Sequence, residues 1–247
     1  MTSFQPIYDL AVQRKGGEAQ LHSLLPKVLS SKELASKGDD RYLAMMCKTI
    51  NQAGFNWNVI ENKWPQFEDA FHGFDVQRLA FKPPEEWEAY MHDTRVVRNW
   101  NNIKAMMHNA SFVFFTGQEH GSFAQFMADW PPSDQVGLML YLKKHASRLG
   151  GNSGFWFLRH VGKDCFTTTH DVIQAVKQAG YETADHPKSK RDLTQVQNAF
   201  NHWHEETGLP YSHLSRIAAC STGTNHPTDQ LQQRLNRFKA GSSSTTQ

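Results

Sequence analysis

Apolar residues recur along this chain at helical spacing. Within 191–207, Leu193, Val196, Phe200 and Trp203 share one stripe, and Gly208 followed by Pro210 ends it. Within 40–52 the stripe is Tyr42, Leu43, Met46 and Ile50, with Asp39 or Asp40 as the expected cap. Pro83-Pro84-Glu85-Glu86 opens a helix through Trp87, Tyr90 and Met91, its acids placed in the first turn where the helix dipole favours them. Trp130-Pro131-Pro132-Ser133 breaks the chain and starts another helix through Val136, Leu140 and Leu142. Residues 99–115 read as one long helix. Its end, Phe112-Val113-Phe114-Phe115, has strand character, but no second run pairs with it. The pattern predicts an all-α protein of ten or more helices with short loops, intertwined as a single domain over 1–240 with a disordered tail at 241–247.

Composition narrows the class. The 247 residues are 39% hydrophobic and 12% aromatic, enough to bury a substantial core and too apolar for a disordered chain. No apolar run approaches the ~18 residues of a membrane span, and the start has no signal-peptide pattern, so a soluble cytoplasmic protein is expected. The three cysteines, Cys47, Cys165 and Cys220, are far apart and odd in number. That excludes a disulfide framework and a CxxC zinc site, and no cofactor is expected.

Lys plus Arg exceed Asp plus Glu by 26 to 24, so net charge says little, but its distribution says more. Residues 135–163 contain no carboxylate while holding Lys143, Lys144, Arg148, Arg159 and Lys163, with His145 and His160. Such a block is either an electrostatic footprint for a polyanion or a solvated helix face. Inside it lies Arg148-Leu149-Gly150-Gly151-Asn152-Ser153-Gly154, ahead of a helix over 155–161. Glycines so dense cannot be helix interior, where each costs roughly 1 kcal/mol against alanine. They suit either a plain helix–helix turn or a phosphate site, in which turn amides and the next helix N-terminus face an anion.

The segment beyond it carries a resemblance. A helical turn rich in glycine, a basic second helix, a Gly-Lys-Asp loop at 162–164 and Asp171 opening a further helix resemble the helix-hairpin-helix DNA glycosylases. Ala146-Ser147-Arg148-Leu149-Gly150 aligns with their L-P-G-h-G hairpin, with Ala146-Ser147 for Leu-Pro and Arg148 for the first glycine. Asp171 lies 25 residues after Ala146, the spacing at which such enzymes carry a catalytic aspartate. In the front half, Gln52-Ala53-Gly54-Phe55-Asn56-Trp57 and Ala70-Phe71-His72-Gly73-Phe74-Asp75 resemble the pattern of 3-methyladenine DNA glycosylase I proteins, and Arg95 to Asn99, Lys104 and Asn109-Ala110 continue it. The chain departs from that branch in three ways: it lacks four Cys and His ligands for the branch's zinc, it has Thr49 where the branch has a glutamate, and it has the aspartate the branch lacks.

The resemblance implies a two-lobed fold, with roughly 57–165 as the middle lobe and both ends forming the second. It implies removal of a damaged base, of the alkylated-purine type, from double-stranded DNA. Asp171 would stabilise positive charge on the sugar and activate water; as an alternative it simply caps its helix. Trp57, Thr49 and Tyr42 would line the base pocket, with Trp64 a weaker candidate, and Gln52 and Phe55 would wedge into the duplex. Lys143, Lys144, Arg148, Gly150, Gly151, Ser153, Gly154 and Arg159 would bind DNA. Asn152 stands where strand-cutting relatives have a lysine, so the enzyme would be monofunctional, monomeric and nucleoid-associated. His202 and His204, two apart on a helix, diverge too far to share a metal. Two other readings remain open here, a non-catalytic DNA-binding protein of the same scaffold and a glycosylase for another modified base.

Overall fold

The computed structural model describes residues 3–54 and 56–233, and the tail at 241–247 lies outside them. In chain order the helices are α1 (Gln5–Lys15), α2 (Glu18–His22), α3 (Ser31–Ala35), α4 (Asp39–Gln52), α5 (Trp57–Ala70), α6 (Val76–Ala80), α7 (Pro84–Glu88), α8 (Trp100–His120), α9 (Phe123–Asp129), α10 (Gln135–His145), α11 (Asn152–Val161), α12 (His170–Gln178), α13 (Lys190–Thr207) and α14 (Tyr211–Ser221). No strand occurs among the described residues, and 112–115 are helical within α8. No described helix is long and apolar enough to cross a membrane.

The chain divides into two compact units. One comprises Leu29–Pro131 and Gly137–Lys163; the other comprises Met1–Val28, Pro132–Val136 and Asp164–Gln247. In the central unit, Trp64 is stacked against Phe67 and Phe74 at 5.5 Å each, and Phe71, Trp87 and Tyr90 extend this aromatic core. The turn after α5 is tight, with positive φ at His72, Gly73 and Phe74. Arg41 holds it by donating to Gly73 O at 2.8 Å while its guanidinium forks onto Glu68 at 2.9 and 3.1 Å. The expected cap of α4 is corrected here. Gly38 is the N-cap, and the Asp39 carboxylate instead accepts from the Phe123 and Ala124 amides at 2.9 and 2.8 Å, capping α9.

In the unit built from both ends, α14 packs against α1, α12 and α13 around Trp203, which meets Phe4 at 5.1 Å and Phe200 at 5.0 Å. Residues 164–169 run without helix, largely buried, and side chains take their backbone groups. Gln135 pairs with both polar atoms of Phe166, Ser212 Oγ with both of Cys165, and Ser215 Oγ accepts from Thr167 N. Asp164 caps α14, accepting from Tyr211 N and Ser212 N at 3.1 and 2.7 Å. Buried amides must find partners, and this polar scaffold leads the chain to Asp171. All three cysteines are buried thiols, and burial pushes Cys47 and Cys220 above the usual thiol range.

Candidate functional site

The glycine-rich turn forms the hairpin between α10 and α11. Arg148 adopts φ +60°, a left-handed conformation that glycine takes without strain, at the position where the sequence resemblance expects a glycine. Asn109, fully buried on α8, fixes the turn from behind: its Oδ1 accepts from Ser147 N at 2.7 Å and its Nδ2 donates to Ser147 O at 3.1 Å. Gly151, at φ +60°, precedes the first turn of α11. Gly154 is a packing glycine, since a Cβ there would stand 2.5 Å from Leu149 O. Lys143, Lys144, Arg148, Gly150 and Gly151 are exposed, Ser153 is half-buried and Gly154 is buried. Two members of the basic block face elsewhere. Lys163 is buried and donates to Met127 O and Trp130 O at 2.7 Å each, closing the end of α9, while Arg159 turns partly inward with its Nε shielded from water.

A second constellation lies in the same unit. Three helices each bring two residues spaced i, i+4, the separation that puts both on one face: Lys48 and Gln52 from α4, Trp57 and Glu61 from α5, Trp156 and His160 from α11. Glu61 joins the first two helices, accepting from Lys48 Nζ at 2.7 Å and from Gln52 Nε2 at 2.9 Å. Trp57 joins the third, with its ring edge-on to Trp156 at 6.4 Å and to His160 at 6.3 Å. Lys48 Nζ also stands 5.0 Å from the centre of the Trp64 ring, close enough for cation–π attraction. Burial and the neighbouring Lys48 and Arg159 charges push His160 down to about 4, so its imidazole is neutral at physiological pH.

The expected pocket residues divide across this cluster. Trp57 is 36% exposed, open enough to stack on a ligand. Thr49 is buried, and its hydroxyl has no hydrogen-bond partner among the described residues. Tyr42 departs from the expectation: it is fully buried, its hydroxyl donates to Leu34 O at 2.9 Å and its ring packs edge-on to Phe123, so it serves the core. Trp64 likewise belongs to the aromatic core. Gln52 is buried and committed to Glu61, which does not suit a wedge that must leave the protein surface. Phe55 lies outside the described residues. Lys48, Glu61, Trp156 and His160 were missed by sequence reasoning. Their signal, three i, i+4 pairs of polar and aromatic residues on separate helices, becomes meaningful only once the helices are assembled.

Asp171 sits in the first turn of α12, whose N-cap Thr169 makes no side-chain cap. Among the described residues the Asp171 carboxylate forms no hydrogen bond or ion pair, and the capping alternative falls. Thr222 Oγ1 donates to the Asp171 carbonyl at 2.6 Å, and Gly223, at φ +62°, lies so close that a Cβ there would stand 2.0 Å from Asp171 Oδ1. Arg14 holds this approach by donating to the carbonyls of Cys220, Thr222 and Gly223 at 3.0, 3.1 and 2.6 Å. His170 beside it is exposed. His204 accepts a structural role, its Nδ1 2.8 Å from Leu209 O and its ring stacked on Tyr211.

Residues 34–140, less than half of the chain, match the methyladenine glycosylase family. No curated protein matches the chain. Among solved structures, 3-methyladenine DNA glycosylase I from Staphylococcus aureus is 20% identical with a TM-score of 0.46, over 56% of this chain and 80% of that one. Another 3-methyladenine DNA glycosylase I is 23% identical with a TM-score of 0.44, over 56% and 82%. A variant of such an enzyme in complex with 3-methyladenine is 20% identical with a TM-score of 0.47, over 58% and 84%.

Proposed function

We propose that this chain, whose residues 34–140 carry the methyladenine glycosylase family pattern, is a monofunctional DNA glycosylase that hydrolyses the N-glycosidic bond of an alkylated purine in double-stranded DNA. The observation that carries the reading is the Asp171 carboxylate, held at the opening of α12 yet spent on neither cap nor ion pair among the described residues. A first-turn carboxylate that the helix dipole favours but that makes no hydrogen bond or ion pair among the described residues remains available for a chemical role.

The proposed roles follow from the chemistry. Cutting a base from deoxyribose breaks the C1′–N bond, and the bonding electrons leave with the base. An alkylated purine starts positively charged and departs neutral, so it needs little help as a leaving group. The sugar gains the positive charge, and Asp171 stabilises it and takes a proton from the water that attacks C1′. Unstacking a flipped base costs a few kcal/mol, and the exposed Trp57 ring has the chemistry to stack on one. Lys143, Lys144 and Arg148, with the Gly150–Gly151 amides ahead of α11, neutralise backbone phosphates. Asn152 offers no amine for a Schiff base, so the product DNA keeps an intact abasic strand. The protein works as a monomer at the nucleoid of the cytoplasm.

Asp171→Asn tests this reading by removing the charge while keeping the shape. Single-turnover base release from methylated duplex should fall by at least about a hundredfold, with DNA affinity changed only a few-fold. Near-normal release by the variant would end the assignment of Asp171. A covalent adduct trapped by borohydride would end the monofunctional one.

A further inference from the structure

The proposed reading leaves the base side of the reaction short of one charge. Thr49 supplies a hydroxyl at most, and that hydroxyl is buried without a partner among the described residues. A polar atom left so costs on the order of 1–3 kcal/mol, a cost a ligand can relieve. Beside it in sequence, Lys48 reaches across to Glu61 on α5. The pair is asymmetric: the Lys48 side chain is 6% exposed and the Glu61 side chain 30%, so the ammonium lies beneath and the carboxylate faces the open side. Among the described residues, Glu61 Oε1 accepts from Gln52 and Oε2 from Lys48. A carboxylate has about four lone-pair positions, so it can accept further donors. Glu61 also shares a helix face with Trp57, one turn away, and the Trp57 ring is edged by Trp156 and by the neutral His160.

We propose that Glu61 selects the base. Its carboxylate, braced by Lys48 and Gln52, accepts hydrogen bonds from a positively charged N-alkylated purine stacked on Trp57, and supplies from α5 the negative charge absent at Thr49. This assignment rests on the glycosylase reading for its substrate, but the purine site it describes can be measured without turnover. Lys48 is then more than a structural partner, because it attenuates the carboxylate and sets how strongly a cationic base is preferred over a neutral one.

The experiment uses the full chain with two readouts. One is single-turnover release from duplex carrying methylated purines or hypoxanthine. The other is binding of an adenine methylated at both N3 and N9, which keeps the positive charge of the lesion in DNA, and of neutral hypoxanthine, followed by quenching of tryptophan fluorescence. Glu61→Gln should lower release and binding of the methylated purine by roughly ten- to a hundredfold, the scale of a hydrogen bond to a charged group, with the neutral purine within threefold. Lys48→Met should move the ratio the opposite way. Lys48→Met/Glu61→Gln, which strands no buried ammonium, should reproduce the loss of preference if Glu61→Gln alone folds poorly. Variants that shift both purines equally overturn the proposal and leave the glycosylase reading standing; wild-type release of hypoxanthine but not of methylated purine overturns the proposal and the alkylated-purine substrate, while base release itself stands. Binding that follows the expected pattern with no base ever released upholds the site and overturns the glycosylase reading. Neither binding nor release overturns both.

Discussion

Arg148 holds a left-handed backbone conformation at the tip of the hairpin, and a side chain with a Cβ pays for it with about 1–2 kcal/mol of strain. Its exposed guanidinium is the compensation if it meets phosphate. Arg148→Gly should therefore stabilise the fold by roughly 0.5–1 kcal/mol, the relieved strain less glycine's greater unfolded-chain entropy. The same change should weaken DNA binding and reduce its log–log salt slope by about 0.9. Urea unfolding and binding at several salt concentrations read the two effects, and a destabilised variant with unchanged slope would contradict both. His160 makes a second prediction at this scale. It titrates near 4 when folded against 6.5 for an ordinary histidine, so between those values the unfolded chain binds the extra proton. Its contribution is full above about pH 6.5 and falls as pH drops through the window, by up to roughly 3 kcal/mol. Urea midpoints from pH 7.5 to 4.5 should decline, and His160→Leu should shallow that decline. Single residues were the least legible part of the sequence. Trp57 was proposed from its place in the Gln-Ala-Gly motif, whereas Glu61 reads in one dimension as an ordinary surface carboxylate. Tyr42, on a helical stripe, and Gln52, in a motif, misled because neither position says which groups bury the side chain.

At the scale of elements, the helical stripes were accurate: 191–207 became α13 and 99–115 became most of α8. The period of the apolar residues fixes which face is buried, and that is local information. Caps across long sequence separation are not local. Asp39, which precedes a helix and looks like its cap, serves α9 more than eighty residues away. Asp39→Ala should cost roughly 0.5–2 kcal/mol, with faster amide exchange at Phe123 and Ala124 and little change at the start of α4. Enhanced exchange at α4 instead would return the cap to its sequence position. The extended stretch 164–169 was equally hidden, because it is held by hydroxyls of α14 and by Gln135 rather than by any ladder of its own.

At the scale of the whole molecule, the family pattern ends at residue 140, before the hairpin turn and Asp171. Trp57 and Glu61 lie inside it and Asp171 outside, so the base-selecting and catalytic assignments can be tested separately. One property of the entire molecule follows from its three thiols, each buried and in no disulfide, with Cys47 and Cys220 pushed upward by their surroundings. Only a thiolate reacts quickly with electrophiles. Native protein should show no fast reaction with Ellman's reagent or iodoacetamide and should yield three thiols on denaturation; rapid labelling of a native thiol would refute this. Agents that methylate bases are electrophiles, and an accessible thiolate is a target for them as well. On the proposed activity, burial keeps these thiols out of reach of the alkylating agents whose products the enzyme would excise.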